Sequence, residues 1–223
     1  MRTVAVIQAR MGSERLPGKA LMKIGDKSIL EWVVFRTLLV EGVDEVAIAT
    51  STRADDDAIT QVCHRLGVLC FRGSPEDVLE RFCQCSSIYK ATHILRVTAD
   101  CPLLDPGINS RIVDTLKTTP ASYVSMSTRS NGLVQEAFTF PALERAHEIA
   151  VDPFDREHVV PYMIRNEKTR FLKPDVDLGA DRWCVDTQED LDRLRALFVW
   201  QPGLFEMSAA ELVGLRDVAA AIR

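Results

Sequence analysis

Short β-branched apolar runs alternate along this chain with longer stretches whose apolar residues recur at helical spacing. Thr3-Val4-Ala5-Val6-Ile7 is compact and branched enough for a buried strand. The spacing then predicts a helix over 28–39 with Ser28 as N-cap, a strand over 45–50 and a helix over 55–66. That last helix opens on acidic residues, as the helix dipole favours, and Gly67 closes it. A strand over 68–71, a helix over 75–90 with Pro75 near its start, and a strand over 93–97 follow. A helix over 106–117 and a strand over 122–125 continue the rhythm.

From about residue 126 the pattern loosens. Residues 135–140 read as a strand on the sheet edge, and 141–149 and 155–165 as helices. A helix over 187–198 is marked by Thr187 as N-cap and by Glu189-Asp190 in its first turn. Trp200-Gln201-Pro202-Gly203 reads as a turn, and 208–222 as a last helix with a Ser208/Glu211 capping box. The alternation predicts an α/β fold: a Rossmann-like, mostly parallel sheet with helices on both faces. With no internal repeat or long linker, one domain over 1–223 is the simplest organisation, ending in a helical tail over about 199–223.

Composition narrows the partners. Charged residues are 26% and hydrophobic residues 47% of 223, the ordinary balance of a globular protein. A net charge of −5 argues against a general nucleic-acid binder. No apolar run has the length of a membrane span, and the N-terminus runs straight into a strand with no secretory pattern, so the expected location is cytoplasmic. The six cysteines are then expected reduced and buried as small hydrophobes, since Cys83-Gln84-Cys85 has no second metal-type pair.

The densest chemistry follows the first strand. Gln8-Ala9-Arg10-Met11-Gly12-Ser13-Glu14-Arg15-Leu16-Pro17-Gly18-Lys19 holds three cations and two glycines, which suits a polyanion such as a triphosphate. It matches neither G-x-x-x-x-G-K-[ST] nor G-x-G-x-x-G, and basic surface loops also occur without a ligand. Ligands of open parallel sheets bind beyond the strands' carboxyl ends. Two carboxylates fall at such predicted ends: Asp100 after the 93–97 strand, and Asp186 after Arg182-Trp183-Cys184-Val185. Singly, Asp100 could shape a turn and Asp186 a helix start, although Thr187 already supplies the cap. Together beside a phosphate chain they would suit Mg²⁺. Asp152-Pro153-Phe154-Asp155-Arg156-Glu157-His158 offers a general base or ligand in His158, or merely a charged helix start. Asp55-Asp56-Asp57 contains Asp-x-Asp but reads as capping charge, and no Gly-x-Ser-x-Gly elbow is present.

The Gln8–Lys19 loop resembles the signature of the sugar cytidylyltransferases, which include the CMP-Kdo and CMP-sialic acid synthetases. Phe71-Arg72-Gly73-Ser74-Pro75-Glu76-Asp77-Val78-Leu79 and Arg96-Val97-Thr98-Ala99-Asp100-Cys101-Pro102-Leu103 are similar to further blocks of the spore-coat polysaccharide biosynthesis protein F group. So are residues 152–162 and Arg182-Trp183-Cys184-Val185-Asp186-Thr187, so that the likeness runs to about residue 198. It implies a nucleotide-diphospho-sugar-transferase-like (GT-A type) fold and transfer of CMP from CTP to an acidic sugar or related acid, with pyrophosphate released, in surface polysaccharide or glycan precursor synthesis. It implies that Arg10, Ser13, Arg15 and Lys19 hold the triphosphate, with Ala9 and Gly12 in the same nucleotide-binding loop. Arg72, Asp77 and Thr98 would lie near the cytidine. Asp100 and Asp186 would hold Mg²⁺ and, with Arg10 and Lys19, form the catalytic set. A homodimer is implied, in which 126–165 builds the acceptor pocket and the interface, with Glu136, Arg156, Glu157 and His158 toward the acceptor. One departure concerns that pocket: Gly132-Leu133-Val134-Gln135-Glu136 carries Val134 where the group has aspartate. The competing readings are a glycosyltransferase using a preformed nucleotide sugar and a non-catalytic nucleotide-binding relative.

Overall fold

The computed structural model describes residues 1–128, 130–216 and 218. Its elements in chain order are β1 (Thr3–Gln8), a small hairpin of β2 (Lys23–Ile24) and β3 (Lys27–Ser28), α1 (Ile29–Thr37), β4 (Glu45–Ser51), α2 (Asp57–Leu66), β5 (Leu69–Gly73), α3 (Val78–Ile88) and β6 (His93–Thr98). Then come α4 (Pro106–Thr118), β7 (Tyr123–Met126), β8 (Glu136–Thr139), α5 (Phe140–Ile149), α6 (Pro153–His158), α7 (Pro161–Asn166), β9 (Thr169–Leu172), α8 (Gln188–Trp200) and α9 (Ala209–Val213).

The main sheet has seven strands in the order β5-β4-β1-β6-β8-β7-β9. β8 alone in that sheet runs against its neighbours, pairing antiparallel with both β6 and β7. The other pairings, β5 with β4, β4 with β1, β1 with β6 and β7 with β9, are parallel. The mostly parallel sheet read from the alternation is therefore present. Strand period separates the core into two layers. Ala5 and Ile7 of β1 face one, with α1, α2, α4 and α8, while Val4 and Val6 face the other, with α3 and α5.

Several boundaries move for identifiable reasons. β8 is an interior strand and not the expected edge, because its two central residues are buried on opposite faces, Ala137 in one layer and Phe138 in the other. The expected helix over 155–165 is two helices. Val159 takes a φ of 71°, and Pro161, which has no N–H, starts α7 afresh. Pro75 stays outside α3, because the Asp77 side chain caps that helix by accepting from Glu80 N at 2.9 Å. At α8 the helix continues through Trp200, which the sequence had placed in a turn. The last expected helix is present as Ala209–Val213 with its Ser208/Glu211 capping box, and positions 217 and 219–222 of that expectation lie outside the described residues.

The segment after α8 is stitched to the beginning of the chain. Phe205 stacks on Trp32 of α1 with ring centroids 4.1 Å apart. Beside it Arg36, 1% exposed, donates to the carbonyls of Leu104 at 2.6 Å, Phe205 at 2.5 Å and Met207 at 2.9 Å. Burial lowers the pKa of this guanidinium, and Asp105 opposes the shift. Arg36→Met would leave three carbonyls without their donor in a dry layer. It is expected to cost about 3 kcal/mol or more, read as a lower urea midpoint with an unchanged slope.

Candidate active site

The loop after β1 is closed by its own backbone. The Met11 carbonyl accepts from both Ser13 N at 2.9 Å and Gly18 N at 2.8 Å. Gly18 supplies the left-handed residue (φ 74°) that turns the chain into a short 3₁₀ segment, Lys19–Leu21. Leu16 is buried and anchors the loop to the core. The loop's first turn is pinned from outside by Asp56, whose carboxylate accepts from Met11 N at 2.7 Å and from Ser51 N at 3.2 Å. Asp56 is 1% exposed and makes no cap bond to α2, so the reading of Asp55-Asp56-Asp57 as capping charge is corrected at this residue.

The result is a fixed launch point for Lys19. An ammonium has three N–H donors, and all three of this one are used: Asp100 Oδ2 at 2.8 Å, Asp186 Oδ1 at 3.0 Å and the Val185 carbonyl at 2.8 Å. Asp100 follows β6, as expected, and its carbonyl accepts from Val185 N at 2.8 Å. Asp186, by contrast, does not follow a strand. Residues 182–185 form only an isolated bridge, Asn131 to Arg182, and pass against the loop at Gly132. A Cβ at Gly132 would lie 2.6 Å from the backbone of Trp183 and Cys184, so only glycine lets the two segments come this close. Thr187 caps α8 with Asp190 in a capping box, leaving the Asp186 side chain free for the site.

Charge is concentrated on Asp186. Its Oδ1 meets Lys19 and Arg15 (2.9 Å), and its Oδ2 meets Arg182 (2.9 Å). Burial alone would raise its pKa, but Lys19, Arg15 and Arg182 outweigh that and hold it below the usual carboxylate value. Burial would likewise lower Lys19, but Asp100 and Asp186 hold it above the ordinary lysine value. The neighbouring thiols are quiet: burial pushes Cys184 up to about 11 and Cys101 well above the ordinary thiol value. All six cysteines are free and five are buried, in keeping with small hydrophobes.

A cavity of about 400 Å³ opens over these groups. Of the residues singled out in the sequence, Ala9, Arg10, Ser13, Arg15, Lys19 and Thr98 line it. So do Asp100, Asp186, Glu157 and His158, the last two from α6, where Glu157 lies 3.9 Å from Arg10. Gly12, Arg72, Asp77, Glu136 and Arg156 do not line it. Arg72 turns to Asp57 (2.6 Å) and the Ser51 carbonyl (2.9 Å). Glu136 pairs with Arg96 at 2.7 Å. Asp77 and Arg156 pair with each other at 2.5 Å, and Arg156 also donates to the carbonyls of His147 and Ala150, so this pair fastens α6 to α3. Val134 packs against the core. The sequence reading missed Arg81, a buried arginine on α3 that also lines the cavity. Its signal is an arginine three residues after Val78, on a helix face that is otherwise apolar.

A family model described as Cytidylyltransferase matches residues 4–206. The spore coat polysaccharide biosynthesis protein SpsF of Bacillus subtilis is 32% identical over 221 residues, covering 94% of this chain and 92% of its own. The solved structure of a cytidylyltransferase from Leptospira borgpetersenii is 31% identical, covers 100% of this chain and 97% of its own, and superposes with a TM-score of 0.92. CMP:2-keto-3-deoxy-manno-octonic acid synthetase, solved with CTP, shares the fold at 20% identity and a TM-score of 0.70, over 90% of this chain and 100% of its own.

The ion node has a pH signature. Asp186, lowered on folding, adds stability above its ordinary 3.8 that is lost as pH falls through its folded value. Lys19, raised on folding, adds stability below its ordinary 10.5 that is lost as pH rises through its folded value. The Tm difference between wild type and Lys19→Met is therefore expected to be widest between these limits and to narrow on both sides. Carboxyl NMR titration of the variant should find Asp186 at a higher pKa than in wild type.

Proposed function

The chain belongs to the cytidylyltransferase family, and on that premise we propose that it joins CMP from CTP to the hydroxyl of an acidic sugar or related acid. Pyrophosphate is the second product, and the activated acid is a precursor for surface polysaccharide or glycan. The observation that carries this reading is the meeting of Lys19, Asp100 and Asp186 at the mouth of the basic loop. It supplies cations for a triphosphate and two oxygen ligands for a divalent ion in one cavity.

In this reading Arg10, Ser13 and Arg15 receive the triphosphate, and Lys19 adds its positive charge beside them. Thr98 offers its hydroxyl to the nucleoside. Arg72 and Asp77 act from behind the pocket wall, Asp77 by holding Arg156 and with it α6. Glu157 and His158 face the acceptor from α6. The donor chemistry suits Mg²⁺: Asp100 and Asp186 lie close enough to share one cation, here the Lys19 ammonium, and no third protein carboxylate, His or Cys completes a site among the described residues. Mg²⁺ is commonly held this way, by one or two carboxylates with substrate phosphates filling the shell. When bound there, it would offset charge on the α-phosphate and favour ionisation of the acceptor hydroxyl.

The reaction asks mainly for alignment and charge neutralisation. The acceptor oxygen forms a bond to the α-phosphorus as its proton is lost. The bond from that phosphorus to the bridging oxygen breaks, and the electron pair leaves on pyrophosphate. Arg10, Arg15 and Lys19 stabilise that growing negative charge from fixed positions, which a preorganised site does at little reorganisation cost.

The test is pyrophosphate release from four nucleoside triphosphates crossed with a panel of sugar acids and related acids. Release with CTP and one class of acid is expected. Absence of release with every acid, or turnover only of a preformed nucleotide sugar, would refute the assignment. Asp100→Asn and Asp186→Asn should each lower turnover by roughly 10²–10³-fold or more with an unchanged circular dichroism spectrum.

A further inference from the structure

Arg81 enters the cavity from α3, one turn after Val78, and is 2% exposed. Its Nη1 donates to the carbonyl of Ser74, which occupies one donor of the five. Its Nε is buried and has no partner among the described residues. The two carboxylates that act on it electrostatically are spent elsewhere. Asp56 accepts from Met11 and Ser51, and Asp77 is paired with Arg156. Arg10, on the wall of the same cavity, acts on it as a like charge, and burial together with that charge pulls the Arg81 pKa down.

Three guanidinium groups, those of Arg10, Arg15 and Arg81, thus line one cavity, and Arg81 is the buried one, short of acceptors. A buried cation is tolerated when an anion and further hydrogen bonds compensate its lost hydration. Among the described residues the protein offers Arg81 one carbonyl. The remainder has to come from what fills the cavity, and a neutral base or ribose would leave the repulsion between Arg10 and Arg81 unrelieved. A phosphate relieves it, and the planar fork of an arginine fits phosphate oxygens two at a time.

We propose that Arg81 is a phosphate-binding residue of this site, closing with Arg10 on one phosphate of the bound nucleotide. The inference rests on the reading in which the cavity takes a nucleoside triphosphate. Arg81 lies about sixty residues beyond the basic loop, on a different element, so it joins α3 to the phosphate chain. It also assigns a use to a buried guanidinium that the described residues leave short of acceptors.

Calorimetry with inorganic tripolyphosphate, CTP and cytidine, each without metal, tests this on Arg81→Met and Arg81→Gln. The Gln variant keeps an N–H donor for Ser74 while removing the charge. Expected is a loss of about tenfold or more in affinity for tripolyphosphate and CTP, with cytidine unaffected. The ligand-free Met variant should melt at or above the wild-type temperature, the reverse of what a purely structural arginine would show. Wild-type affinity for tripolyphosphate in either folded variant overturns the proposal. So does equal weakening of CTP and cytidine together with a lower Tm, which would mark a scaffolding role. A defect confined to the KM of the acidic acceptor would also overturn it, by assigning Arg81 to the acceptor's carboxylate. Tripolyphosphate tests the residue whichever nucleotide is the donor, so failure of the CTP assignment in the release screen is read separately.

Discussion

The arrangement of this site depends on one ammonium group having three donors and three fixed acceptors. Lys19 bonds Asp100, Asp186 and the Val185 carbonyl, and those acceptors come from segments 81 to 167 residues away along the chain. Each leg is rigid for its own reason. The loop is closed by the Met11 carbonyl and held by Asp56, Asp100 hangs directly from β6, and Asp186 is tied through Val185 to the backbone of Asp100. Moving any leg would strand a donor or a carboxylate in a partly dry place, which is why the node constrains more of the fold than its size suggests.

Electrostatics then divides the cavity. Around Asp186 positive and negative groups are matched, and the shifts of Asp186 and Lys19 record mutual stabilisation. Toward α3 the balance is different: Arg10 is met by Glu157 only at 3.9 Å, and the carboxylates acting on Arg81, Asp56 and Asp77, are already bonded elsewhere. A site that is satisfied at one end and short of anions at the other is prepared for a polyanion laid across it. The pairing of Asp77 with Arg156 extends this order outward, since it sets how α6 presents Glu157 and His158.

Much of this was legible in the chain because it rests on local rules. The branched run over 3–7 is the buried strand β1, the Ser28, Thr187 and Ser208 caps sit where their spacing placed them, and Asp100 follows its strand. What escaped was set by tertiary contact. β8 looked like an edge strand because four residues cannot reveal that the connection from β7 inserts them between β6 and β7. Asp56 looked like capping charge because its true partner, the N–H of Met11, is 45 residues away. Residues 182–185 looked like a strand because their apolar character reflects close packing beside Gly132 and not sheet pairing. Arg81 was hidden inside an apolar helix face, where a single charge is easily passed over as solvent-facing.

The Arg36 clasp has a consequence for how the protein is made. A ribosome delivers α1 early, but the carbonyls of Phe205 and Met207 that Arg36 requires emerge 169 and 171 residues later. Until then the guanidinium and the face of Trp32 have no lid, so the nascent chain carries an open, half-polar seam while the intervening residues are made. Closure of that layer is consequently a late, long-range event, and the finished layer is sealed by the segment translated last among those it contains.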